Sequence, residues 1–98
     1  MKRFVIASER DKRVLAHVDG LPSLDEFWKN MTALTATEFT VLRMVSIGMT
    51  NVQIARAMSQ AITTTRTHIK RIHDKLYVVG RARLAVMGYE ACYRNRFQ

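Results

Sequence analysis

Thr35-Ala-Thr-Glu38 and Thr50-Asn-Val-Gln53 constrain this chain more than any other feature of it. Each has the form of a capping box. The threonine hydroxyl accepts from the backbone N–H three residues on, and the Glu or Gln side chain reaches back to the threonine's own N–H. Each therefore marks a helix start. With starts at 35 and 50 and Gly48 between them, the first helix has to end near Ser46. Leu34 before its box and Val41, Leu42 and Val45 after it supply a buried stripe. The second box opens a short helix over 51–58, with Val52, Ile54, Ala55 and Met58 available for packing. A turn through Ser59-Gln60-Ala61 leads into a longer helix, predicted over 62–78. Its stripe is Thr65, Ile69, Ile72 and Leu76, at spacings of four, three and four. Gly80 breaks it, and a fourth helix is predicted over 81–93. The expected unit is all-α, four helices with short connections.

Upstream, Pro22 follows Asp19-Gly20 and precedes Ser23-Leu24-Asp25-Glu26. That is a turn, then Ser23 as N-cap with acids in the first turn. A short helix, 24–31, follows and carries Phe27 and Trp28. Phe4-Val5-Ile6-Ala7 reads as a short strand. Residues 9–18 have two readings: a helix capped by Ser8, or a strand over Val14–Val18 pairing with 3–7 as a hairpin. The expected organisation is an N-terminal extension over 1–32 packing on or dangling from the core, a helical domain over 33–94, and a tail over 95–98. At 98 residues there is room for one domain.

The net charge of +8 and a pI near 10.4 favour a polyanionic partner. Its placement says more than its total. Residues 66–83 hold Arg66, Lys70, Arg71, Lys75, Arg81 and Arg83 against Asp74 alone, while each of the other segments is close to neutral. With the stripe of the third helix buried, Arg66, Thr67, Lys70, His73 and Asp74 lie on the opposite side, flanked by Arg71 and Lys75. A short helix, a tight turn and a longer basic helix let the last one enter a major groove. Thr63 to Thr65 are poor helix-interior residues, but their hydroxyls and the free N–H groups of a first turn suit phosphate.

Other chemistries find little support. Cys92 is the only cysteine, and His17, His68 and His73 lack ligand spacing. No set of nucleophile, base and orienting group is present, so no catalytic residue, metal or cofactor is expected. The apolar runs are too short to cross a bilayer, and Met1-Lys2-Arg3 is followed by only four apolar residues rather than a leader. A cytoplasmic, non-membrane protein is expected. His68, beside the buried stripe, reads as a packed, hydrogen-bonded histidine. His73 reads as either an exposed histidine or a DNA contact.

The run LTATEFTVLRMVSIGMTNVQIARAMSQAITTTRTHIKRIHDKL, with Arg81-x-x-Leu84 beyond it, resembles the LuxR/FixJ/GerE-type helix-turn-helix family of bacterial transcription regulators. The matches are Leu34-Thr35-x-x-Glu38, Val41-Leu42, Gly48-x-Thr50-Asn51-x-x-Ile54-Ala55, Thr64-x-Arg66-x-His68-x-x-x-Ile72-x-x-Lys75-Leu76 and Arg81-x-x-Leu84. The resemblance implies base reading by Arg66, Thr67 and Lys70. It implies phosphate contacts from Thr50, Asn51, Thr64, Thr65, Arg71, Lys75 and Arg81. It also implies a double-stranded DNA partner, a homodimer through the fourth helix, and contact with RNA polymerase or another regulator. Ala85, Gly88 and Cys92 form a small-residue line on that helix. Two readings of Gly88 stay open: close approach of a second copy, or room for a neighbouring side chain of its own domain.

Several positions depart from the family pattern. Ala61 stands where a capping serine is usual, Gln60 where an aliphatic residue is, and Thr65 where a valine is. Ser59 and Thr63 are therefore alternative helix starts. Phe39 and Ile47, usually polar, share a helical face on which the N-terminal segment is expected to dock through Phe27 or Trp28. A segment of about 30 residues is too short for the receiver or ligand-binding domain that relatives carry. That leaves a stand-alone regulator, a truncated derivative or an accessory subunit. The alternative to DNA reading is a protein-interaction module that pairs with a larger regulator through the fourth helix.

Overall fold

The computed structural model describes residues 8–16 and 24–94, and no strand occurs among them. Helix α1 spans Glu9–Ala16, with Ser8 Oγ accepting from the Asp11 N–H at 3.1 Å. The capped-helix reading of this stretch therefore holds over 9–16 in place of the hairpin. The expected strand at 4–7 and the Ser23 cap lie outside the described residues. Helix α2 spans Leu24–Met31, α3 Ala36–Ser46, α4 Asn51–Ala57, α5 Ile62–Leu76 and α6 Arg81–Tyr89, and a π-helical turn, Glu90–Arg94, follows.

Both capping boxes close in both directions. Thr35 Oγ1 accepts from the Glu38 N–H at 3.1 Å, and Glu38 Oε1 accepts from the Thr35 N–H at 2.9 Å. Thr50 and Gln53 repeat this at 3.2 and 2.9 Å. Gly48 takes the left-handed conformation that lets the chain turn from α3 toward α4. α5 is two residues shorter than the sequence predicts. Tyr77 enters the left-handed region and ends it, and the ring of His73 contributes by a 2.7 Å hydrogen bond from Nδ1 to the Val78 carbonyl. Val78 turns inward and is buried.

The core gathers around α3, which packs on α5 and α6, while α4 packs on α5. Val41, Leu42 and Val45 of α3 meet Ile69, Ile72 and Leu76 of α5, Ile54 of α4, and Leu84 and Met87 of α6 in one buried cluster. Full burial of each such aliphatic side chain contributes about 1.5–3 kcal/mol. Val52, expected to pack, instead faces solvent.

The N-terminal segment docks elsewhere than the sequence suggests. α2 lies against α5 and the π-helical turn, burying Phe27 and Met31 in the common core and leaving Trp28 exposed. Phe39 is half-buried against the core, and Ile47 remains 58% exposed. The physical reason is burial: against α5 and the π-helical turn, Phe27 is almost completely removed from solvent.

Candidate nucleic-acid interface

α5 separates its residues cleanly by face. Thr65, Ile69, Ile72 and Leu76 are buried, while Arg66, Thr67, Lys70 and Arg71 are exposed. The side chains of Arg66, Lys70 and Arg71 make no hydrogen bond or ion pair with another described residue, so their charge is offered to solvent. Thr67 Oγ1 donates to the Thr63 carbonyl at 3.0 Å, which leaves its methyl and oxygen outward on the same face. Thr63 and Thr64 are exposed at the helix start. Ala61 is the N-cap residue and provides no side-chain hydrogen bond, so neither Ser59 nor Thr63 replaces it. The first-turn N–H groups of α5 are without a side-chain acceptor from the cap, which suits an incoming phosphate.

Four sequence-based expectations change here. Thr65 is 0% exposed, and its hydroxyl accepts from Gln60 Nε2 at 2.8 Å, so it is no phosphate ligand. Lys75 gives its ammonium to Glu38 Oε1 at 2.6 Å across the α3–α5 contact, an engagement within the domain that the phosphate assignment did not include. His73 is half-buried with Nδ1 engaged on the Val78 carbonyl, rather than plainly exposed. His68 is half-buried as expected, but its Nδ1 is buried with no hydrogen-bond partner among the described residues, unlike the hydrogen-bonded ring predicted. Arg81 remains exposed, yet it fastens the start of α6 to the start of α4. Its Nη1 donates to Asn51 Oδ1 at 2.6 Å and its Nη2 to the Met49 carbonyl at 2.8 Å. Asn51 is thereby half-buried and held, and Thr50 beside it is exposed.

Glu38 is the acid that organises this neighbourhood. Burial pushes its carboxyl pKa up, but the Lys75 hydrogen bond, the Thr35 N–H and the lysine's charge outweigh that and hold it below the ordinary glutamate range. One carboxylate thus caps α3 and binds α5. No sequence signal announced this pairing, because the capping box already accounts for Glu38 and Lys75 lies far along the chain.

The small-residue line on α6 faces inward. A Cβ added to Gly88 would collide with Ser46 Oγ and lie 2.9 Å from Leu42 Cδ1, and Ser46 Oγ is itself held on the Leu42 carbonyl at 2.7 Å. Close approach at Gly88 is therefore between α6 and α3 of one chain. Cys92 is buried, and burial pushes its thiol pKa up although Arg43 opposes this. Gly88 and Cys92 are thus buried within the chain's own core, and Ala85 is half-buried beside them. The outward face of α6 instead shows Ala82, Val86 and Tyr89 at spacings of four and three, with Val86 55% and Tyr89 49% exposed. Arg43 stacks over the Tyr93 ring at 5.3 Å, and Tyr89 stacks on Tyr93 at 5.1 Å.

A capped short helix, a tight turn and a basic helix with a free cationic face define a helix-turn-helix unit of the DNA-binding kind. The family model described as bacterial regulatory proteins, luxR family, matches residues 32–88, more than half of the chain. The chain belongs to that family of DNA-binding transcription regulators. No curated protein matches it, and no solved structure does. Among the described residues, no helix is long and apolar enough to cross a membrane.

Proposed function

We propose that this chain reads specific duplex DNA sequences as a homodimer, placing α5 in the major groove. Arg66 and Lys70, four residues apart on one face, address base edges, and Thr67 between them supplies a methyl and a hydroxyl. Thr64, Arg71 and Thr50 hold phosphates on either side, and the Asn51–Arg81 pair keeps the start of α4 in place for its part in that contact. The observation that carries this reading is the free state of Arg66, Lys70 and Arg71 on the exposed face, while Lys75 and Arg81 are engaged within the domain. The outward stripe Ala82, Val86 and Tyr89 supports pairing of two copies through α6.

The same apolar stripe favours a second reading, in which α6 pairs with a larger regulator. Selection of sites from a random duplex pool at two salt concentrations separates the two. The DNA-reading dimer enriches an inverted repeat that survives the higher salt. Salt-sensitive retention with no motif would reject base reading and leave the partner regulator to supply specificity.

A further inference from the structure

The turn between α4 and α5 contains a residue fastened to both helices. The Gln60 backbone N–H donates to the Ala55 carbonyl of α4 at 3.0 Å, and its side-chain Nε2 donates to Thr65 Oγ1 of α5 at 2.8 Å. Ser59, immediately before it, holds the left-handed conformation that lets the chain reverse there. Thr65 is fully buried, so its hydroxyl needs a partner, and an unpaired one costs about 1–3 kcal/mol. Ala61 provides no cap for α5. Gln60 and Thr65, two separate departures from the family pattern in sequence, are thus partners in space.

We infer that Gln60 is a positioning residue for base reading. It acts as a strut that sets the angle and rotation of α5 relative to α4, while the first-turn N–H groups of α5 stay uncapped. Thr65 precedes Arg66 in the chain, so whatever moves the first turn moves Arg66, Thr67 and Lys70 with it. Bidentate base contacts tolerate little displacement, whereas phosphate contacts by long cationic side chains tolerate more. Loss of the strut therefore falls on discrimination first. This inference rests on the DNA-reading function proposed above.

The test uses the full chain carrying Gln60→Ala, Gln60→Met, Thr65→Val, or Gln60→Ile together with Thr65→Val. Affinity is measured for the duplex that the wild type enriches from a random pool and for a scrambled duplex of the same composition. The α4–α5 angle is measured by residual dipolar couplings. Gln60→Ala is expected to lower the ratio of the two affinities about tenfold, within the range of one good base contact, and to change scrambled-duplex affinity less than about twofold. Gln60→Met keeps the stem without the amide and behaves the same way in a chain that remains folded. Thr65→Val alone reproduces the loss, and the apolar pair restores the ratio and the couplings.

A ratio unchanged in Gln60→Met and Gln60→Ala, with only the melting temperature lowered, would overturn the inference and leave a simple fastening. If the wild type enriches no sequence, the DNA-reading function fails on its own. The couplings then decide the strut alone: an α4–α5 angle identical in wild type and Gln60→Met refutes it, and a changed angle upholds the strut while its role in base reading falls with the DNA-reading function.

Discussion

The two ends of α5 carry similar cations and use them in opposite ways. From its second turn to just past its middle, Arg66, Lys70 and Arg71 stand exposed without a partner among the described residues. Near its end, Lys75 is bound to the buried carboxylate of Glu38 and His73 closes the helix on Val78. A basic helix is therefore two devices in series, a binding face followed by a fastening to the fold. Counting charge along 66–83 overstates what a polyanion meets, because the Lys75 charge is balanced by Glu38, while Arg81 keeps its charge but is held in place by Asn51 and Met49.

The fastened end gives the largest expected effect. Lys75→Met strands Glu38, which is almost fully buried, and should cost about 3 kcal/mol, a melting-temperature drop of roughly 15 °C for a chain of this size. Urea or thermal unfolding measures it, and a loss under about 0.5 kcal/mol would show that Thr35 alone satisfies the carboxylate. The folded variant should keep its preference between duplexes. The same pair has a pH signature. Glu38 titrates lower in the folded chain than in the unfolded one, so its contribution is fully present above about pH 4.3 and fades as pH falls through the folded value. Glu38→Gln should flatten that acid limb relative to wild type, and parallel curves would refute the depressed carboxyl.

The free end gives a different phenotype. Lys70→Ala should weaken binding to the selected duplex by about 2 kcal/mol, roughly thirtyfold, with little change on a scrambled duplex and in the melting temperature. Equal losses on both duplexes would make Lys70 a phosphate contact and erase part of the contrast between the two ends.

Engaged and free surface alternate on α6 as well. Gly88→Ala should destabilise by about 1–2 kcal/mol through collision with Ser46 and Leu42. In a Ser46→Ala background the loss should shrink, and a calorimetric double-mutant cycle reads the difference. An unchanged cycle with altered self-association would return Gly88 to the dimer surface. The smallest effect belongs to Arg71→Ala, which should weaken all duplexes similarly and lower the salt slope of binding by about 0.9. A loss confined to the selected duplex would move Arg71 among the base readers.

Much of the helical unit was legible in the sequence because its signals are local. The capping boxes at Thr35 and Thr50 involve residues three apart, and the stripe of α5 follows from helical period alone. The separation of Arg66 and Lys70 from Ile69 and Ile72 needed nothing else. The partners of Lys75, Thr65 and Gly88 were not legible, because each lies on another element or across a turn. The docking of α2 was misread for a related reason: Phe39 and Ile47 are apolar, but apolarity on a face does not say which helix will cover it.

The sequence by itself determined where the helices of this family unit start, which face of α5 is apolar, and that basic residues concentrate away from that face. Those are properties of neighbouring residues on a regular backbone. Tertiary structure alone decided which charges remain free, that Gly88 and Cys92 face inward, and that Gln60 spans two helices. Each of these depends on a contact between elements, and the hydrogen bonds and close packing that settle such contacts act over a few ångströms in space, whatever the separation along the chain.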